Sequence, residues 1–350
     1  MIKDFLKKNP IAGYYLIAIA FPTVLFSYMM VLEVVWQSLY GVDQSYAGNF
    51  YSLRDRLIEQ YNIIFHHNDS VVLYVTGYIM MPLAAPFFFF PFAPTCAAVI
   101  TTALTHGKAA IKALLRLYKP VQGSVTGREG LRIYGLLLVT LAVMVVVVCL
   151  REYYFGNPER VDGFLTHLGL IDPVIFLSTW LMGLFVNQGA LLEELGWRGY
   201  ALPLMIRKVG NPLKASILVG VLWCFWHFPR EVPSLLSGAQ GVPDLLIGQL
   251  LFLISCCSMS VVAGYFVNIT GGSVLPAIML HGSFNLVGGM FSSANVGARG
   301  GFTLDGPLMW LATAVVLVLI VGKDLDWRRR LEAHGGDGST DPSLAWCREN

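Results

Sequence analysis

The sequence predicts an all-α polytopic membrane protein with about eight transmembrane helices. Three observations carry this prediction. Of its 350 residues, 55% are hydrophobic and 13% are charged, whereas soluble domains carry about 25% charged residues. Mean hydropathy is +0.62. The apolar residues also gather into runs, several of them near the ~20 residues that one helical span requires. The net charge of +2 is uninformative on its own, and no stripe of Lys and Arg marks a nucleic-acid surface.

The first run, 11–36, follows Lys3, Lys7 and Lys8. It is too long for a signal-peptide core, so it reads as a first span. The second, 71–105, holds Pro82, Pro86, Pro91 and Pro94, which bend or break a helix. It is either one kinked span with an appended segment or two spans. Further runs fall at 133–150, 173–192, 215–229, 244–267, 273–291 and 306–322.

Charge favours one crossing for 71–105. With eight spans, both termini and the loops near 106–132, 193–214 and 268–272 share one side. That side holds Lys108, Lys112, Arg116, Lys119, Arg128, Arg132, Arg207, Lys208, Lys214 and Arg328-Arg329-Arg330. The positive-inside rule makes it cytoplasmic, with 37–70, 151–172 and 292–305 opposite. The expected location is therefore a lipid bilayer, the inner membrane in a prokaryote. Residues 108–119 suit an interfacial amphipathic helix or an ordinary basic loop.

Residues 1–325 read as one integral membrane domain. Residues 326–350 turn polar, with Gly335-Gly-Asp-Gly-Ser-Thr-Asp-Pro342, and read as a disordered cytoplasmic tail. The six cysteines show no CxxC pair and no disulfide or zinc spacing.

Three polar stretches interrupt the apolar runs: Glu193-Glu194-Leu-Gly-Trp-Arg198, Trp223-Cys-Phe-Trp-His227 and His281-Gly-Ser-Phe-Asn285. An ionisable group at mid-membrane costs about 2.5 to 3.5 kcal/mol on insertion scales, so such groups point to function. Glu194 and Arg198 are four apart and share a helix face, which makes them the expected ion pair. Glu193 points about 100° away and lacks that cation, which suits a general base for water. His281 and Asn285 also share a face. Asn285 can orient the His or donate to a developing oxyanion. A helix–helix hydrogen bond is the plainer reading of that pair.

The order Glu-Glu-x-x-x-Arg198-Gly199, Pro203, an aromatic residue four before His227, then His281-x-x-x-Asn285 resembles the CPBP family. That family comprises the CAAX prenyl endopeptidases and bacterial relatives such as self-immunity proteins. The resemblance covers about 170–290. Trp223 and Trp197 stand where the family more often has phenylalanine.

The resemblance implies proteolysis within the membrane on a peptide or protein substrate, prenylated or not. It casts Glu193 and His227 as water activators and His281 and Asn285 as oxyanion donors, with Glu194, Arg198 and Trp223 in support. No cofactor is expected. Zinc is the alternative, since Glu193, His227 and His281 would make a ligand trio with an open water position. The competing functional reading is a non-catalytic relative, an immunity factor or partner scaffold.

Overall fold

The computed structural model describes residues 2–61, 71–167, 173–236, 241–293, 305–338 and 340–342. Among these residues the protein is built from helices alone. They are α1 (Ile2–Lys8), α2 (Pro10–Tyr40), α3 (Tyr46–Tyr61), α4 (Val71–Met80), α5 (Phe89–His106), α6 (Lys108–Leu115), α7 (Gly127–Phe155), α8 (Pro158–His167) and α9 (Pro173–Phe185). Then follow α10 (Gln188–Glu194), α11 (Leu202–Val209), α12 (Pro212–His227), α13 (Val232–Leu236), α14 (Val242–Ile269), α15 (Leu275–Ser293), α16 (Asp305–Val321) and α17 (Trp327–Ala333).

Among the described residues, Pro10–Tyr40, Pro82–His106, Gly127–Phe155 and Val242–Ile269 are long and apolar enough to cross a membrane. Val71–Met80, Leu275–Val287 and Gly306–Val321 are shorter apolar helices. Each apolar run of the sequence is helical, and the chain is an all-α polytopic membrane protein. Apolar side chains such as Val139, Val146, Leu319 and Ile320 are left exposed on α7 and α16, as suits helices that face lipid.

The proline-rich run resolves into α4, a 3₁₀ stretch Pro82–Phe88, and α5. Pro82 opens the 3₁₀ stretch, Pro86 lies inside it, and Pro94 sits within α5. The segment α4 is thus an appended helix rather than a full span. It packs with α3 through an aromatic cluster of Tyr46, Phe50 and Tyr78, with the Phe50 and Tyr78 rings stacked 5.2 Å apart.

The run 173–192 also breaks, between α9 and α10. Asn187 caps α10 by accepting from the Ala190 N–H at 3.0 Å, as short amides favour at helix starts. Beyond α10, residues Leu195–Ala201 form a π-helix, whose wider turn is typical of functional segments. Glycines set the spacing here. A Cβ at Gly196 would stand 2.4 Å from the Pro94 backbone of α5. One at Gly282 would stand 2.1 Å from the Gly183 carbonyl oxygen, so α15 and α9 cross in near backbone contact.

The basic face is closed by short segments. In α6 and the 3₁₀ turn Arg116–Tyr118, Leu114 and Leu117 are fully buried while Lys108, Lys112, Arg116 and Lys119 are exposed, an amphipathic division. The Val274 N–H donates to Leu117 O at 2.9 Å, and the Gln122 N–H donates to Thr270 O at 2.9 Å. The polar C-terminal stretch, expected to be disordered, folds onto the same place as far as Pro342. Arg330 and Asp341 form an ion pair with both side chains fully buried. His334 Nε2 donates to Gly271 O at 2.7 Å, and the Ser124 N–H donates to Ala333 O at 2.9 Å. Composition misled because two of the anchoring partners, Gly271 and Ser124, lie far from this stretch in sequence. The last residues, 343–350, lie outside the described set.

Candidate active site

The paired glutamates end α10, His227 ends α12, and His281 and Asn285 sit on consecutive turns of α15. The structure brings all of these together with Arg198 and Trp223. Glu193, Glu194, Arg198, Trp223, His227 and His281 are all buried, and Asn285 is partly so.

The two carboxylates divide their work. Glu194 Oε1 accepts from Arg198 Nη1 at 2.8 Å, the expected pairing across one turn. The same oxygen accepts from His281 Nδ1 at 2.9 Å. Glu193 takes neither. Its Oε2 accepts from Trp223 Nε1 at 2.8 Å. Glu193 lacks the Arg198 cation, as the spacing predicts, and its partner is instead a neutral donor. Trp223 also receives the Arg198 guanidinium 4.6 Å from its ring centroid and packs on His281, with rings 5.0 Å apart. The Trp found where phenylalanine is usual thus adds a hydrogen bond that a phenyl ring cannot make.

Each histidine is oriented by one bond. His227 Nδ1 lies 3.0 Å from Trp223 O. A carbonyl only accepts, so Nδ1 carries a proton and the neutral ring presents a lone pair at Nε2. Likewise, Nδ1 of His281 donates to the Glu194 carboxylate. Rings of Trp226 and Phe252, 4.6 and 5.0 Å from the His227 ring, fix its plane.

Asn285 makes a helix–helix hydrogen bond, the plainer of the two readings of its motif. Its Nδ2 donates to Asn187 Oδ1 at 3.0 Å, so one of its two N–H groups is spoken for. Asn187, buried and serving at once as helix cap and as the orienter of Asn285, was missed in the sequence. Its signal is a lone capping amide inside an apolar run, which a hydropathy average passes over. Between these groups lies Gly189. A Cβ there would come within 3.3 Å of both Glu193 Oε1 and Asn285 Nδ2. The missing side chain leaves open the space those two polar atoms share.

Glu193, His227, His281 and Asn285 line a cavity of about 270 Å³. Its other walls are largely apolar, from Tyr74, Phe90, Pro91, Phe252, Met259 and Phe284. No group of three or more His, Cys, Asp or Glu among the described residues is placed to hold a metal ion. The trio is divided: one Glu193 oxygen is held by Trp223, and His281 turns to the other glutamate.

The family described as Type II CAAX prenyl endopeptidase Rce1-like matches residues 165–287. CAAX prenyl protease 2 of Methanococcus maripaludis is 32% identical over 114 residues, 33% of this chain. The chain spans 39% of the length of that relative. The matched segment holds both glutamates, both histidines, Asn187 and Asn285, and it is similar to the CAAX prenyl endopeptidases.

Proposed function

We propose that the protein is an intramembrane endopeptidase that hydrolyses a peptide bond in a membrane-associated protein or peptide. The observation that carries this reading is the division of two adjacent buried carboxylates. Glu194 is committed to Arg198 and His281, while Glu193 keeps one oxygen toward the cavity. In the proposed reaction Glu193 Oε1 takes a proton from water, and the hydroxide attacks the scissile carbonyl carbon. His227 accepts at Nε2 and orients that water. Glu194, by accepting from His281 Nδ1, orients the ring so that its opposite nitrogen faces the oxyanion. Asn285 has one N–H left for the same oxyanion, and Asn187 holds it in place. The proton on Glu193 passes to the leaving amine, which completes hydrolysis.

This mechanism uses no metal. Purified protein in bilayers should cleave membrane peptides at a rate unchanged by prolonged chelation, and should carry well under one equivalent of zinc by elemental analysis. Activity lost on chelation and restored by zinc alone would overturn it. Screening prenylated against unmodified peptides in the same assay identifies the substrate class.

We also propose that both termini and the 198–214 loop are cytoplasmic. The exposed basic residues of α6 and its surroundings support this. A single cysteine at position 112, on a cysteine-free background, should resist an impermeant thiol reagent applied to intact cells. Labelling from outside would invert the assignment.

A further inference from the structure

The first long helix bears on the site through a proline. In α2, Pro22 lies inside the helix and is buried. A helical carbonyl ordinarily accepts from the N–H four residues on, and proline has none. Ala18 O is thereby left without its helical donor. Trp226 supplies one: its Nε1–H donates to Ala18 O at 2.9 Å. Both residues are fully buried, so this bond is made out of reach of solvent. The indole is held on its other sides as well. Phe90 stacks on it with rings 4.8 Å apart and 5° from parallel, and Trp197 of the π-helix meets it edge-on at 6.0 Å. What the indole touches next is the ring of His227, 4.6 Å away at 80°.

We propose that Trp226 is a positioning residue for His227, anchored by the carbonyl that Pro22 sets free in α2. This rests on the endopeptidase reading and deepens it. The bond from His227 Nδ1 to Trp223 O fixes one point of the imidazole. Rotation about that point swings Nε2, the atom that orients the water. The Trp226 ring blocks that rotation only while it keeps its own setting. One setting puts Nε1 on Ala18 O, and any other leaves a buried donor and a buried acceptor unpaired. Pro22 makes the setting exclusive, because any other residue there would bring a main-chain N–H to the same oxygen. Tyr14, one turn before Ala18, packs on Trp197 and Tyr200 at 5.7 and 5.3 Å and holds α2 against the π-helix. All of α2 lies outside the matched residues 165–287. This support therefore comes from a part of the chain that the likeness does not cover.

Three variants of the full chain in lipid bilayers test this: Pro22→Ala, Trp226→Phe and the two combined. Pro22→Ala returns an N–H to the interior of α2, so its melting temperature should equal or exceed that of the wild type. It should nonetheless cut kcat by about tenfold to a hundredfold with KM held within about twofold, the scale on which small misplacements of a reacting group act. Trp226→Phe keeps an aromatic ring and loses the N–H. It should cut kcat alike and lower the melting temperature, because Ala18 O is stranded. In the combined variant the restored main-chain N–H serves Ala18 O. Part of the lost melting temperature should return, and the two kcat losses should not multiply. Ring-nitrogen NMR of histidine-labelled protein reads the geometry without turnover. The His227 signal, assigned by its absence in His227→Gln, should show one Nδ1–H tautomer in the wild type and exchange between tautomers in both single variants. Wild-type kcat in Pro22→Ala overturns the proposal, even where Trp226→Phe folds poorly. A kcat that falls only as far as folded protein falls also overturns it, as do stability effects that simply add. If no peptide is cleaved, the endopeptidase reading fails by itself. The tautomer spectra and the stability cycle then still decide whether Trp226 sets His227.

Discussion

Glu193→Gln should reduce cleavage by about 10² to 10⁴-fold, the usual contribution of a general base, in a protein that still folds and accumulates. The change keeps shape and removes charge. Gln at this position retains a carbonyl oxygen that can accept from Trp223 Nε1, so the 2.8 Å bond survives. Glu193 is not the partner of Arg198 or of His281, so no buried cation is orphaned. Cleavage rate and melting temperature of the purified variant, measured side by side, check this. Wild-type cleavage by Glu193→Gln would place the base elsewhere.

Glu194→Gln should behave in the opposite way, with loss of folded protein as its main effect. Glu194 Oε1 serves Arg198 and His281 together. Arg198 is fully buried, and its Nε and Nη2 already have no partner among the described residues. Removing the only carboxylate it pairs with here leaves a buried guanidinium uncompensated, at a cost of about 3 to 5 kcal/mol. Total stabilities of 5 to 15 kcal/mol are typical, so that is a large share. Adding Arg198→Met should recover much of the folded yield, since replacing both members of a buried pair is far less costly than removing one. Detergent-solubilised yield and melting temperature of the three variants decide the matter. Equal stability of the two glutamine variants, with activity lost at Glu194 alone, would exchange the roles of the two glutamates.

The contrast between these variants follows from a feature legible in the sequence, the four-residue spacing of Glu194 and Arg198. The apolar runs likewise gave the helices and their order, because burial in lipid is a property of each segment taken alone. Other features depend on residues distant in sequence. The bond from Trp223 to Glu193 spans 30 positions, that from His281 to Glu194 spans 87, and that from Asn285 to Asn187 spans 98. None follows from local spacing. The motif placed His281 beside Asn285 as two donors for one oxyanion, yet neither bonds to the other. Each turns instead to a group at one end of α10. The C-terminal stretch failed for a related reason. Its glycines and charges read as disorder until Arg330 meets Asp341 and His334 meets Gly271.

The closing of the basic face has a consequence for the direction of traffic. On that face, the turn before α15, the segment after α6 and the C-terminal stretch are stitched together by main-chain bonds. The cavity instead reaches Phe90, near the start of α5, and Arg230, just past the end of α12, the ends remote from α6 and from Pro212. The two faces of the molecule are therefore not equivalent: one is a floor and the other a doorway. Under the proposed endopeptidase reading, a peptide is expected to reach the cavity from the half of the molecule away from the basic face, and to leave the same way. Under that reading, one orientation measurement reports the leaflet of substrate supply along with the position of the termini.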